Sequence, residues 1–244
     1  MVFNFEEPCR VFLMDTVLFI DTSLGGAGLG LRTARGEWKA SHTKRGDADS
    51  ALCTLLDHGL KVLGKSQADI STVVVSHGPG SFTGIKVGLA WAYGLQATRQ
   101  EGLLVGSSSL LQLRVFLDKK HKGTANAVLF PINRREGFLC YAGDKGEERI
   151  LCIPMDLKNV DPYLTPEGNL WVLGDAPLFH DVQQGCPFKV HHLNPSEYLD
   201  LAISALMENT QDLKKSRMVF PQYLKKTTVE EKLESEEQNV SKTS

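Results

Sequence analysis

The first half of the chain alternates short apolar runs with longer amphipathic segments. Three short runs between residues 17 and 42 have the β-branched or alternating pattern of strands, and turn residues separate them. The predicted elements are strands at 17–20, 28–32, 38–42, 73–75 and 103–105 and helices at 48–63, 85–98 and 108–117. The order βββαβαβα predicts a mixed sheet in which an antiparallel meander joins parallel strands.

A second region with its own strands begins near residue 124. Its apolar runs predict strands at 127–132, 138–142 and 170–173, followed by a helix at 196–207 that Ser196 opens after Pro195. Residues 1–16 precede the first strand and are predicted to be an extension. The last residues are charged and nearly devoid of large apolar side chains, which is typical of a disordered tail. The predicted organisation is an extension at 1–16, lobes at 17–123 and 124–225, and a tail at 226–244.

The composition is that of a globular protein with an ordinary core. The chain has 244 residues, of which 42% are hydrophobic and 23% charged, and its formal net charge is −2. A protein that holds nucleic acid by itself normally carries a basic surplus, so any nucleic acid is expected to be held by a partner. The five cysteines are scattered without a C-x-x-C pair, which indicates a reducing compartment.

No segment suggests membrane insertion or export. The apolar stretch 85–95 is broken by Lys86 and by glycines, and it is too short to span a bilayer. Glu6 and Glu7 stand where a secretory signal needs positive charge. The sequence therefore predicts a cytoplasmic protein with no membrane contact.

The most informative segment is Ser76–Gly88, SHGPGSFTGIKVG, which lies between a predicted strand and a predicted helix. Its glycines permit close backbone approach, and Ser81 or Thr83 can cap the helix. The spacing fits neither a P-loop nor a dinucleotide-binding turn, so a tight structural turn is favoured over a ligand cradle. The second interpretation is a vestigial phosphate loop formed by Asp21, Thr22, Gly78, Gly80, Ser81 and Thr83.

Four segments, taken as whole strings, resemble the TsaB (YeaZ) family. They are Gly78–Gly84 (GPGSFTG, followed by IKVG), Leu18–Ser23 (LFIDTS), Val105–Leu110 (VGSSSL) and Pro221–Lys225 (PQYLK). They occur in family order over nearly the whole chain. The resemblance implies an α/β protein with an actin-like ATPase (ASKHA) fold, whose two RNase-H-like lobes hold mixed sheets flanked by helices.

The resemblance also implies a role in tRNA modification. Proteins of this family are described as non-catalytic scaffold or activator subunits, that is, as pseudo-enzymes. They pair with the catalytic paralogue TsaD, and the ATPase TsaE joins them. Together they transfer a threonylcarbamoyl group to the adenosine beside the anticodon. The expected partners are therefore a TsaD-type protein, a TsaE-type ATPase and a second copy of this chain, with tRNA reached only through partners.

The residues give little support for catalysis by the chain itself. TsaD-type proteins hold a metal through an H-x-x-x-H helix, but the corresponding segment Gly106–Gln112 has no histidine. The seven histidines show no ligand spacing, so neither a metal nor another cofactor is expected. Asp21 resembles the acidic residue of metal–phosphate sites in ASKHA kinases, and alternatively it is a turn residue at a strand end. Three alternatives stay open: a stand-alone ASKHA-type ATP-using enzyme, a metallopeptidase-like protein, and a homodimeric scaffold with no tRNA role.

The chain departs from the family pattern at five positions. These are Asp47, Lys86, Asn133, Phe138 and Lys225, where the family has histidine, arginine, aspartate, glutamate and arginine. An arginine-to-lysine change loses bidentate geometry, so a planar anion clamp would be weakened. A scaffold role needs only shape and would survive these changes.

The helix predicted at 85–98 is apolar on nearly all sides and rich in glycine. Gly84, Gly88 and Ala92 lie four residues apart on one face, where small residues let another helix approach closely. Leu52, Leu55 and Leu56 form the apolar face of the preceding helix. We therefore predict that these six residues face TsaD or a second copy; the alternative is that they pack on the chain's own sheet.

Overall fold

The computed structural model describes residues 16–44, 46–97, 102–122, 124–143, 146–174, 188–208 and 219–224. The predicted tail and, apart from Thr16, the predicted extension lie outside these residues. The strands are β1 Thr16–Asp21, β2 Ala27–Thr33, β3 Gly36–His42, β4 Ile70–Ser76, β5 Leu103–Ser107, β6 Asn126–Pro131, β7 Glu136–Ala142, β8 Glu148–Pro154, β9 Asn169–Leu173 and β10 Lys189–Leu193. The helices are α1 Ala48–Leu63, α2 Phe82–Ala97, α3 Ser109–Lys120 and α4 Pro195–Glu208.

The strands form two five-stranded sheets with the same topology. The first sheet has the order β3-β2-β1-β4-β5, and the second has the order β8-β7-β6-β9-β10. In each sheet, three antiparallel strands form a meander, and two further strands run parallel to its first strand. The predicted mixed sheets flanked by helices are confirmed.

Two of the helices cross between the lobes. The helix α3, which follows the first sheet in the chain, packs on β6 and β7, while α4, which follows the second sheet, packs on β1, β2 and β3. The two helices also pack on each other, and α1 and α2 cover the outer face of the first sheet. Tyr198 on α4 donates a hydrogen bond to the carbonyl oxygen of Leu24 over 2.9 Å. The lobes therefore share a core around α3 and α4.

Helix α1 has the predicted bounds because its signals agree. Leu52, Leu56 and Leu60 are buried on one face, as the leucine spacing requires. Gly64 ends the helix with a left-handed φ of 60°, a conformation that glycine adopts without steric cost.

No helix within the described residues is both long enough and apolar enough to cross a bilayer.

Four details differ from the prediction. Thr16, placed in the extension, is the first residue of β1, and α2 begins at Phe82 rather than near Ile85. The strands β8 and β10 were not predicted; both are sheet edges with few buried side chains, so their apolar pattern is weak. Helix α4 begins at Pro195, and its capping residue is Asn194, which exchanges hydrogen bonds with Glu197. The prediction that Ser196 opens this helix is wrong.

Candidate functional site

The glycine-rich turn leads from β4 into α2. Ser81 precedes the helix, and its hydroxyl oxygen accepts a hydrogen bond from the Gly84 N–H over 3.2 Å. This satisfies one of the N–H groups that a helix start leaves without a partner. The predicted capping role of Ser81 is therefore confirmed, whereas Thr83 lies in the first turn with its side chain exposed.

Three glycines of this segment lie in close contact with the two residues that follow β1. A Cβ atom added to Gly80 would lie 2.2 Å from the Ser23 carbonyl oxygen, and one on Gly84 would lie 1.9 Å from the Thr22 carbonyl oxygen. One on Gly88 would lie 2.3 Å from the Thr22 hydroxyl oxygen. Real side chains do not reach such distances, so each position excludes alanine as the backbone stands. These glycines are four residues apart, and together they make room for residues 22 and 23. We call this contact the glycine seat.

The polar groups of the turn are engaged by the chain itself. The Ser81 N–H donates to the Ser23 carbonyl oxygen over 2.6 Å, and the Thr22 hydroxyl donates to the Gly84 carbonyl oxygen over 2.6 Å. The Gln222 N–H donates to the His77 carbonyl oxygen over 2.8 Å. An anion cradle needs N–H groups without partners, so the bonded Ser81 N–H and the Gly84 N–H capped by the Ser81 hydroxyl favour the tight-turn interpretation.

Asp21 is buried beneath the turn. Its Oδ1 atom accepts hydrogen bonds from the Ser23 N–H (2.8 Å) and the Ser23 hydroxyl (2.7 Å), and that hydroxyl lies 2.9 Å from the Ser76 hydroxyl. The residue has no exposed surface, and Oδ2 has no hydrogen-bond partner among the described residues. Burial raises the pKa of the Asp21 carboxyl group above its usual value, and the bonds from Ser23 only partly offset this. Asp21 is thus a buried strand-end acid.

A cleft of about 780 Å³ opens beside the turn, between the two lobes. Lobe one contributes the ends of β1 and α2, lobe two contributes β6 and β7, and the C-terminal segment closes one side. Four of the six residues predicted as a phosphate loop line it, namely Thr22, Gly80, Ser81 and Thr83. Asp21 and Gly78 are buried and do not line it. The structure therefore does not assemble the predicted set at one surface.

The family departures have local roles around this cleft. Phe138 lines the wall, and Lys86 places its ammonium 3.9 Å from the centre of the Phe82 ring. Asp47 forms an ion pair of 2.5 Å with Lys44 at the rim, and this contact lowers the pKa of Asp47. The Asn133 side-chain oxygen accepts hydrogen bonds from the N–H groups of residues 135 and 136, which closes the β6–β7 turn. Lys225 lies outside the described residues.

The residues Val219–Leu224, which we call the strap, cross over the turn. Val219 is buried, and both its backbone groups bond to the Tyr93 hydroxyl on α2, the N–H at 2.7 Å and the carbonyl at 2.9 Å. The Tyr223 ring packs on the Phe82 ring with centroids 5.0 Å apart. Sequence reasoning treated this segment only as a terminal motif, because nothing local reveals that it packs on α2.

The predicted partner face is largely internal. Leu52, Leu56 and Ala92 are buried in the core of lobe one, and Gly88 is buried against Thr22. Leu55 and Gly84 are half-buried. Four of these six residues therefore cannot present a surface to a partner, and for them the prediction is wrong. For these four residues, the structure agrees with the alternative prediction that the face packs on the chain's own sheet.

The opposite side of α2 carries an exposed row of small residues, which we call the α2 seam. Four of its five members are exposed and Val87 is half-buried. The members are Thr83, Val87, Ala90, Gly94 and Ala97. The 4-3-4-3 spacing keeps them within an arc of about 80° at 3.6 residues per turn, which is the pattern of a helix-packing seam. The same spacing was visible in the sequence, but glycine and alanine on both faces concealed which one was buried.

The histidines do not form a metal site in the described part of the chain. No group of three or more histidine, cysteine, aspartate or glutamate side chains there could hold a metal ion. His121 and His191 do come together, since both rings pack on Trp171 with centroid distances of 5.0 Å and 4.3 Å. No local sequence pattern indicates this cluster, because its three rings are at least 20 residues apart in the chain. His180 lies outside the described residues.

Comparison with known proteins connects this geometry to a family. Residues 49–113 match the model of the TsaD family, described as tRNA N6-adenosine threonylcarbamoyltransferase. YeaZ from Pseudomonas aeruginosa superposes with a TM-score of 0.63 at 18% identity, covering 86% of this chain and 100% of that chain. The chain has the YeaZ fold.

A second Pseudomonas aeruginosa structure agrees with this description. A Pseudomonas aeruginosa protein described as similar to peptidase YeaZ gives a TM-score of 0.65 at 19% identity, covering 87% of this chain and 100% of that chain. A Bacteroides thetaiotaomicron protein described as having an actin-like ATPase fold gives a TM-score of 0.41 at 10% identity, covering 79% of this chain and 96% of that chain. Comparison with curated protein sequences gives no match. The YeaZ resemblance expected from the motifs is confirmed at the level of the fold.

Proposed function

We propose that this chain is a TsaB-type subunit that supports, and does not perform, the transfer of a threonylcarbamoyl group to a tRNA adenosine. One observation carries the proposal. The segment that matches the TsaD family, residues 49–113, contains nearly all of α1 and all of α2, and α2 bears the exposed seam. The TsaD-like part of the chain is thus also the part with a surface suited to helix packing.

The proposed partner is a TsaD-type protein with a similar first lobe. Two paralogous lobes can pair like-on-like around a pseudo-twofold axis, in which each presents the same helices to the other. Small residues at Ala90, Gly94 and Ala97 would let the two helix backbones approach closely. A second copy of this chain would use the same face, so homodimer and heterodimer would compete.

The arrangement of the turn and cleft supports this role. Three glycines of the turn and helix pack against Thr22 and Ser23, and the Ser81 N–H donates to the Ser23 carbonyl oxygen. Asp21 is buried and does not line the cleft. A metal-dependent or phosphoryl-transfer reaction needs an acid facing its ligand. We assign the chemistry to the TsaD-type partner and nucleotide hydrolysis to a TsaE-type ATPase, and we place the complex in the cytoplasm.

The test is complementation in cells depleted of this protein. We expect threonylcarbamoyladenosine in total tRNA, measured by nucleoside mass spectrometry, to fall on depletion and to return with the wild-type gene. The double variant Ala90→Arg/Gly94→Arg should fail to restore it, because two charged side chains would occupy the seam. Unchanged levels after depletion would contradict the proposed function.

A matched control separates the seam from general effects of added charge. Ala142→Arg and Thr165→Arg add two arginines at exposed, uncharged positions of lobe two, away from α2, and change the net charge by the same amount. This control should restore the modification to wild-type levels, and both double variants should be as soluble as the wild type.

A further inference from the structure

Two basic segments that are far apart in the chain meet at one end of lobe two. Lys119–Lys122 (KKHK) lies at the end of α3, and Lys189–His192 (KVHH) belongs to the edge strand β10. Together they hold four lysines and three histidines and no carboxylate, in a chain whose net charge is −2. The fold thus concentrates positive charge that the overall composition conceals.

Trp171 on β9 joins the two segments. The His191 ring stacks on its indole with a centroid distance of 4.3 Å and an interplanar angle of 16°, and the His121 ring packs on it at 5.0 Å. The indole N–H donates to the Asn126 side-chain oxygen over 3.0 Å. The ring stack therefore fixes the end of α3 against β10.

Hydrogen bonds also fix the residues around the Trp171 ring stack. The Asn169 side-chain oxygen lies 3.0 Å from His191 Nε2, and its amide nitrogen donates to Thr124 Oγ1 over 3.0 Å. Asp118, the carboxylate near this end of α3, is ion-paired with Arg114 and accepts a hydrogen bond from Asn126. Both of its oxygens are therefore engaged by Arg114 and Asn126.

The pKa of His191 reflects the positive charges around it. Partial burial lowers the pKa of His191, and the charges of His121, Lys189 and His192 lower it further. Lys120, His121, Lys122, Lys189 and His192 are exposed. The carbonyl end of the α3 dipole also favours cations at this site.

We propose that this surface, formed by Lys120, His121, Lys122, Lys189 and His192, binds the phosphate backbone of RNA. Lysine ammonium groups supply point charges for phosphates, and exposed imidazole rings between them offer flat faces to unpaired bases. An acidic protein would need the charges but would gain nothing from the rings. The identification of the RNA as tRNA rests on the proposed function.

The surface is small, so it can contribute only a few phosphate contacts. Each phosphate contact contributes to affinity mainly through counterion release, and a handful of contacts gives only weak binding at physiological salt. The chain would therefore add one contact to a tRNA that its partners hold. This modifies the expectation that tRNA is reached only through partners.

The test measures binding of a fluorescent, unmodified tRNA transcript to the full-length chain by anisotropy, between 50 and 200 mM salt. The variant is Lys122→Glu/Lys189→Glu, and the control is Lys65→Glu/Lys158→Glu, which changes the net charge equally elsewhere on the surface. We expect the variant to bind about tenfold more weakly at low salt. The slope of log affinity against log salt should shrink by about 1.4–1.8, the value for two lost phosphate contacts.

Three results would overturn the proposal. The first is wild-type affinity in the Lys122→Glu/Lys189→Glu variant, and the second is an equal loss in the control, which would be an effect of net charge alone. The third is competition by polyglutamate as strong as by unlabelled tRNA at equal charge, which would indicate an acidic protein ligand. Sedimentation of each variant with the TsaD-type protein keeps the two proposals separate. If the wild-type chain fails to associate but the variant still loses tRNA binding, the proposed function falls and this surface stands.

Discussion

The two faces of α2 use the same residue types for opposite purposes. On the inner face, Gly84 and Gly88 meet the Thr22 carbonyl and hydroxyl oxygens at distances that leave no room for a methyl group. On the outer face, a Cβ atom added to Gly94 would meet nothing within 4 Å. The inner glycines are required by the fold of this chain, whereas none of the described residues comes close enough to the outer one to require a glycine there.

This contrast shows how to read a glycine-rich helix. Glycine in a helix interior costs about 1 kcal/mol relative to alanine, so each one needs a compensating contact. For the inner glycines the contact is the end of β1. For Gly94 no such contact exists among the described residues, which is the reason to propose a partner helix there. A substitution at Gly88 would report on folding, and one at Gly94 would test the proposed docking.

The largest expected effect comes from adding one methyl group to each face. Gly84→Ala should destabilise the protein by about 3 kcal/mol, because the new Cβ overlaps the Thr22 carbonyl and β1 must shift. Gly94→Ala should stabilise it by up to about 1 kcal/mol through helix propensity. Urea unfolding followed by circular dichroism measures both. Equal effects at the two positions would remove the distinction between the faces.

A smaller effect is expected from the hydroxyl that lies in the glycine seat. Thr22→Val keeps the shape of the side chain but removes the 2.6 Å hydrogen bond to the Gly84 carbonyl oxygen, at a cost of about 1–2 kcal/mol. The matched substitution Thr83→Val on the exposed face should change the free energy of unfolding by less than about 0.5 kcal/mol. The same denaturation experiment decides, and a Thr83→Val loss as large as that of Thr22→Val would count against the seat.

The strap adds a third contact to α2, on neither of these faces. Tyr93→Phe removes the hydroxyl that bonds both backbone groups of Val219, and we expect a loss of about 1 kcal/mol. Amide hydrogen exchange should rise in residues 77–84, which the strap covers through Gln222. Tyr223→Phe is the control, since its contact with Phe82 is made by the ring. Unchanged exchange in Tyr93→Phe would mean that the strap does not hold the turn.

The pH dependence of stability tests the environment of Asp21. Since its folded-state pKa is raised, the folded protein favours the protonated acid, and stability is lost as pH rises from the unfolded-state value through the folded-state value. Asp21→Asn cannot ionise and can still accept both bonds from Ser23. The advantage of Asp21→Asn over wild type should therefore grow as the pH rises above the ordinary pKa of an aspartic acid. An advantage that shrinks with pH would show that the charged form is favoured.

Much of lobe one could be predicted because its signals are local. The buried strand at Val17–Ile20 and the leucine-rich helix ending at Gly64 carry their own pattern, and the structure reproduces both within one or two residues. The edge strands β8 and β10 could not be predicted in the same way. An edge strand buries few side chains, and β10 has only Val190 fully buried.

The site was less predictable because its contacts join distant residues. The role of Gly80, Gly84 and Gly88 depends on Thr22 and Ser23, about 60 residues earlier, and no local pattern encodes that contact. The buried and exposed faces of α2 have similar composition, so the sequence alone does not distinguish the face that packs on the chain's own core from the face that stays exposed. The motif strings were informative in a different way, since they indicated the fold without indicating which atoms touch.

The most direct measurement is the affinity between this chain and the proposed TsaD-type partner, determined by analytical ultracentrifugation. The account predicts that the wild-type chain associates and that Ala90→Arg/Gly94→Arg weakens association at least about 100-fold, an increase of about 2.8 kcal/mol in binding free energy. The melting temperature of the variant should stay within about 2 °C of wild type. Wild-type affinity in a folded Ala90→Arg/Gly94→Arg variant would contradict the central claim that the outer face of α2 is the docking surface.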